Sequence, residues 1–156
     1  MEAIQLPIYQ HQPDILVTDK HGKVVLILEA KAKQNPDNFI ESTIQNLKLY
    51  LNSIESEINF VILADLENIQ IFQVLKTKDF QKIITLKTAK ILKFYDPDFC
   101  REKIFDLYFI TLLEAWLRDL AYHWKSIDTP GAKELAEIGL LNLIQGGDTY
   151  SHNDER

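Results

Sequence analysis

The chain has 156 residues, 46% of them hydrophobic and 26% charged, with five glycines and five prolines. This is enough for one domain that buries roughly two-thirds of its unfolded surface, and the composition points away from a disordered or fibrous protein. A formal net charge of −6 argues against coating nucleic acid by bulk electrostatics, and Cys100, the one cysteine, excludes an internal disulfide and a multi-cysteine zinc site.

No basic leader opens the sequence and no apolar run reaches membrane-spanning length, so the expected location is the cytoplasm, with no membrane partner. The charge is uneven. Residues 1–95 hold eleven Lys/Arg against eleven Asp/Glu, and residues 96–156 hold six against twelve. Within the neutral part, Lys76, Lys78, Lys82, Lys87, Lys90 and Lys93 face only Asp79. Such a run either contacts phosphates or is a solvated face.

In chain order, residues 1–12 carry few structural signals. Asp14–Asp19 alternates in polarity, and Val24–Leu28 is a continuous apolar run suited to a strand buried on both faces. Lys20-His21-Gly22-Lys23 between them reads as a four-residue hairpin loop, with Gly22 free to take a left-handed backbone. If Asp19 pairs with Val24, the antiparallel register sets Asp14 opposite Glu29. Like charges so opposed repel, and a divalent cation between them removes the conflict. Lys31, two residues on, shares the face of Glu29. A charge placed directly after Val24-Val25-Leu26-Ile27-Leu28 needs a partner or a metal.

Asn35-Pro36-Asp37 reads as a helix start, with Asn35 as the N-cap. Ile40, Ile44, Leu47, Leu51 and Ile54 then form one stripe of an amphipathic helix. Ile58–Leu66 and Ile69–Leu75 are strand-like and joined by a turn at Glu67-Asn68. Residues 83–88 suit a further strand and 89–95 a short helical turn. From Asp96-Pro97-Asp98 a long helix is expected to about Trp124, with a broad apolar face including Ile104, Phe105, Tyr108, Phe109, Trp116 and Leu120. Such a face needs cover from the sheet, from the last helix or from another chain. Thr129 and Pro130 open a final helix through Ile144, stopped at Gly146-Gly147, and the tail from Asp148 is polar and expected to fray.

Pro13-Asp14, then Glu29-Ala30-Lys31 on the second strand, resembles the signature of the PD-(D/E)xK nuclease superfamily. The expected order of strand, strand, helix, strand, strand is similar to its core. The resemblance implies an α/β fold with a restriction-endonuclease-like mixed β-sheet flanked by helices. Residues 1–95 would form the nuclease-like core, 96–147 a C-terminal pair of helices packed on it or at a dimer interface, and 148–156 a polar tail, within one domain overall. It further implies a metal-dependent phosphodiesterase acting on nucleic acid, DNA in the first instance. Asp14 and Glu29 would bind Mg²⁺ (or Mn²⁺) with the carbonyl of Ala30, and Lys31 would complete the catalytic set. Several lineages place a glutamine and a tyrosine four residues apart on the following helix. Here Gln45 and Tyr50 are five apart, which makes Gln45 the candidate substrate contact and Tyr50 a packing residue. Members also carry a helix ahead of the first strand, often with a glutamate. Glu2 is the only acid before Asp14, so that layer is expected to be lacking or borrowed. His11 precedes the motif and could approach the site.

The alternatives are an Asp14 that merely opens a strand and a Glu29–Lys31 ion pair at the sheet rim. The protein would then be a non-catalytic, nuclease-like module that forms a homodimer through its C-terminal helices or docks on a larger complex.

Overall fold

The computed structural model describes residues 12–33, 38–54 and 57–151. The chain builds an α/β fold around a six-stranded mixed sheet. In chain order its strands are β1 (Ile15–Thr18), β2 (Val24–Ala30), β3 (Phe60–Ala64), β4 (Asn68–Val74), β5 (Phe80–Lys87) and β6 (Thr149–Ser151), and across the sheet they run β5-β4-β3-β2-β1-β6. Among the described strands only the β2–β3 pair is parallel. A parallel pair needs a crossover, and helix α1 (Phe39–Ser53) supplies it. β2 and β3 lie at the centre, where Val25–Glu29 and all of Phe60–Ala64 are buried, in keeping with their unbroken apolar runs.

The β1–β2 loop is tighter than its sequence suggests. Asp19 and Lys23 pair, Gly22 donates to Asp19, and Gly22 takes φ 84, so the loop has three residues, Lys20–Gly22. Thr18 therefore faces Val24. The offset is undone by a bulge in which Val25 has no counterpart in β1, since Val17 pairs with Leu26 and Ile15 with Leu28. The register beyond it again sets Asp14 against Glu29.

One sheet face packs on α1 through Ile27, Leu47, Leu51, Val61, Leu63 and Phe72. The residues Asn35, Pro36 and Asp37, expected to start this helix, lie outside the described residues. Asn38 stands at its N-terminal boundary in a left-handed conformation without a side-chain cap. The helix's buried line runs through Phe39, Thr43, Leu47 and Leu51; the last two belong to the expected stripe, and its other members Ile40, Ile44 and Ile54 pack half-buried beside them. Tyr50 packs against this layer.

The opposite face carries α2 (Thr88–Leu92), α3 (Asp106–Tyr122), α4 (Ala132–Glu137) and α5 (Leu140–Ile144). Phe109, Leu113, Trp116, Leu117 and Leu120 of α3 are buried among sheet residues Ile15, Leu26, Leu28 and Ile62, and α4 and α5 add Leu135, Leu140 and Ile144. Each such side chain contributes about 1.5–3 kcal/mol on burial. The broad apolar face is thus covered within the chain, although Phe105, Leu107 and Tyr108 stay exposed.

Several expected boundaries are corrected. The turn between β3 and β4 is Leu66-Glu67, because Asp65 pairs with Asn68 and the Asp65 carboxylate accepts both the Glu67 and Asn68 N–H groups. β5 starts at Phe80, before the expected residue 83. The long helix does not start at Asp96: residues Phe99–Arg101 form a 3₁₀ turn, Glu102 and Phe105 are extended, and α3 begins at Asp106. The final helix is two short ones, divided where Gly139 adopts φ 86, and Thr129 does not cap it but donates to the carbonyl of Asp119. Within the tail expected to fray, Thr149–Ser151 form β6, which pairs with β1. Gly147 makes this approach possible, since a Cβ there would collide with the carbonyl oxygen of Thr18. All six lysines of the basic run are exposed, and Asp79 pairs with Lys48 at 3.2 Å instead. Lys82 and Lys87 lie on the edge strand β5, where lysine discourages pairing with another sheet. Among the described residues no helix is long and apolar enough to cross a membrane.

Candidate functional site

Pro13 has no N–H and begins no ladder. The first donor of the segment is Asp14 N–H, which reaches the Glu29 carboxylate (Oε1, 3.2 Å). In return the Asp14 carboxylate (Oδ2) accepts Ala30 N–H at 2.9 Å. This reciprocal clasp extends the β1–β2 register one pair beyond Ile15 and Leu28. It is the cross-strand juxtaposition expected from the sequence, with one carboxylate tied to each strand.

Glu29 is buried at 8% exposure. Burial, followed by the charge of Asp14, pushes its pKa from 4.5 up to about 8; the Asp14 N–H and the charge of Lys31 pull the other way and do not prevail. Two carboxylates close together in a partly dry site favour a shared proton or a cation. Lys31 N–H continues the pairing with β3 by donating to Ala64 O at 2.9 Å, and its side chain is exposed.

Asp14, Glu29, Ala30 and Lys31 form the floor of a cleft of about 350 Å³. Helix α1 contributes Phe39, Ser42, Thr43 and Asn46 as one wall, and the start of α3 contributes Asp106 and Ile110 as another. The walls are joined to the floor by Asp106, whose Oδ1 accepts Ala32 N–H at 2.7 Å. This contact spans 74 residues and fixes the start of α3 beside the strand end that carries Lys31.

Among the described residues no group of three or more His, Cys, Asp or Glu side chains is arranged to hold a metal ion. An ion at the floor would have two protein carboxylates, with backbone oxygen, water and substrate completing the set. Mg²⁺ accepts that sparse oxygen environment, whereas a thiophilic or imidazole-seeking metal does not. The residues present fit a hard divalent cation.

Gln45 does not line the cleft. It is exposed, in a shallow depression with Asn38, Glu41, Ser42 and Ile44. Asn46, the next residue, lines the cleft instead. His11 and Glu2 lie outside the described residues. Ser42, Asn46, Asp106 and Ile110 were not singled out in the sequence. The polar run Ser42-Thr43, spaced from Asn46 at i+3 and i+4, was the available signal for the α1 wall, since Thr43 is a buried polar residue on an otherwise apolar line. Asp106 carried no local signal. Compared with protein families, with curated proteins and with solved structures, the chain matches none.

Proposed function

We propose that the cleft is the active site of a divalent-metal-dependent phosphodiesterase acting on nucleic acid, DNA in the first instance, on a restriction-endonuclease-like fold. One observation carries this reading. The chain sets Asp14 and Glu29 against each other at a strand end and leaves Glu29 with its pKa raised to about 8, in an open cleft with Lys31 beside it. Buried acids in such conflict cluster at functional sites.

Asp14, Glu29 and the carbonyl of Ala30 would hold Mg²⁺ (or Mn²⁺). When bound, the ion supplies Lewis acidity and an acidified water. The remaining work falls to the chain. Lys31, exposed at the cleft floor, offsets negative charge on the phosphate oxygens as it grows in the transition state. Asn46 and Ser42 offer hydrogen-bonding groups from the α1 wall to orient the phosphodiester. Asp106 holds the Lys31-bearing turn through Ala32, and Phe39 and Ile110 restrict water at the sides.

Plasmid DNA, single-stranded DNA and RNA are incubated with Mg²⁺ or Mn²⁺ and with wild type, Asp14→Ala and Lys31→Ala. Cleavage by wild type alone supports the reading, and equal nicking by all three sinks it. Calorimetric titration with Mn²⁺ provides a second readout: carboxylate-dependent heat belongs to a metal site, and its absence leaves the non-catalytic module.

A further inference from the structure

The segment between the 3₁₀ turn and α3 is extended, with φ −123°, ψ 161° at Glu102 and φ −96°, ψ 156° at Phe105. Side chains of an extended segment alternate in direction. Ile104 points inward and is buried, while Lys103 and Phe105 point outward together, with Lys103 Nζ 5.3 Å from the centre of the Phe105 ring. Phe105 is 64% exposed and immediately precedes Asp106, a residue of the cleft wall. The chain thus sets an uncovered aromatic ring and a cation directly ahead of Asp106, the wall residue whose carboxylate accepts Ala32 N–H beside exposed Lys31 and Lys33.

The exposed rings Phe94 and Trp124 are different. Tyr95 meets Phe94 edge-on and Trp124 at a tilt, Lys125 lies over both Phe94 and Trp124, and Trp124 Nε1 donates to Ala115 O. Those rings have partners within the chain and stand by the far end of α3. Among the described residues the Phe105 ring is met by the Lys103 ammonium, and it is mostly open to solvent.

We propose that Phe105 and Lys103 form a base platform at the mouth of the cleft. Phe105 stacks an unpaired base next to the scissile phosphate, and Lys103 neutralises the adjoining phosphate. This rests on the phosphodiesterase reading and narrows its substrate class to single strands or locally opened duplexes. A ring face accepts any base but cannot stack on one still enclosed within a duplex.

The test uses the full chain in EDTA, where no cleavage occurs, with a single-stranded DNA oligonucleotide carrying 2-aminopurine and a paired duplex of the same length. Wild type is expected to quench the single strand's fluorescence on binding and to prefer it over the duplex. Phe105→Ala weakens single-strand binding by about tenfold and abolishes the quench, Phe105→Trp restores both, and duplex binding changes less than twofold. Lys103→Ala weakens binding and flattens its salt dependence. Unchanged single-strand binding by Phe105→Ala, equal losses on single strand and duplex, or no binding by wild type would each overturn the platform. The Mg²⁺ cleavage assay is separate. Metal-dependent cleavage without a Phe105 effect retains the phosphodiesterase and removes the platform, and a Phe105 effect without cleavage does the reverse.

Discussion

Two buried carboxylates stand near opposite ends of α3, and the chain treats them differently. Asp119 is fully buried. It accepts the Tyr95 hydroxyl at 2.7 Å, the Ser126 hydroxyl at 2.9 Å, and the N–H groups of Lys125 and Ser126 at 3.0 and 3.1 Å. Burial raises its pKa, but these donors outweigh burial and hold the carboxyl below its ordinary range. Glu29 meets the reverse balance. Burial and the neighbouring Asp14 charge outweigh the Asp14 N–H and Lys31 and push it up to about 8. A structural anion is surrounded by donors that complete it, whereas Glu29 is held next to another acid at the floor of an open cleft. That difference separates a tie closing the end of a helix from a place that gains by receiving a cation.

The sharpest way to break the comparison is to remove a carboxylate from each place. Asp14→Ala and Glu29→Gln are expected to lower Mg²⁺-dependent cleavage by roughly a thousandfold or more, with the circular dichroism spectrum unchanged. Asp119→Ala should do the opposite. Orphaning the buried donors costs about 3 kcal/mol, read as a fall in Tm of roughly 10 °C, while the folded variant at low temperature cleaves within twofold of wild type. A large loss of specific activity in folded Asp119→Ala would erase the distinction.

The next effect is on pH. Glu29 binds its proton more tightly in the folded than in the unfolded chain, so the metal-free protein gains stability from it below pH 4.5 and loses that gain as pH rises through about 8. Denaturant melts in EDTA should show stability declining from pH 5 to pH 8.5 by on the order of a few kcal/mol. Glu29→Gln should flatten the decline and be more stable than wild type at pH 8. The same proton must leave when a cation binds. Calorimetry at pH 7 in buffers of different ionisation enthalpy should therefore report close to one proton released per Mn²⁺ bound by wild type. Proton release that Glu29→Gln leaves intact would place the titrating group elsewhere.

The parts of this picture that were legible from residues alone are those with a local cause. Gly22 announces the hairpin, and the apolar run before Glu29 marks a central strand ending in an acid. The Asp14–Glu29 juxtaposition came out as expected even though the loop is a residue shorter than its sequence suggests, because the bulge at Val25 restores the register. Asp106 was not legible, since its role depends on α3 packing back across the sheet to meet Ala32. Nor was β6, whose three residues carry no strand pattern. It forms because Gly147 admits the chain beside Thr18, and because Thr149 is held by Glu114 Oε2 at 2.8 Å and Arg118 Nε at 2.8 Å. Most of the fold was visible as a succession of elements, and the walls of the site were not.

The α1 wall offers the smallest effect and the finest discrimination. One residue along a helix rotates a side chain by about 100°, so Gln45 and Asn46 cannot serve the same surface. Asn46 lines the cleft above Asp14 and Glu29, while Gln45 is exposed on the neighbouring flank. An uncharged hydrogen bond to substrate contributes about 0.5–1.5 kcal/mol, so Asn46→Ala should lower kcat/KM by roughly three- to tenfold and Gln45→Ala by less than twofold. Both positions face outward from the buried line of Phe39, Thr43, Leu47 and Leu51, and neither change should move Tm by more than about 2 °C. Because Asn46 orients the phosphodiester held in the cleft, its effect should appear on a small activated phosphodiester such as bis-p-nitrophenyl phosphate as well as on an oligonucleotide. An effect of Gln45→Ala exceeding that of Asn46→Ala would put the substrate path over the outer flank of α1, away from the acids.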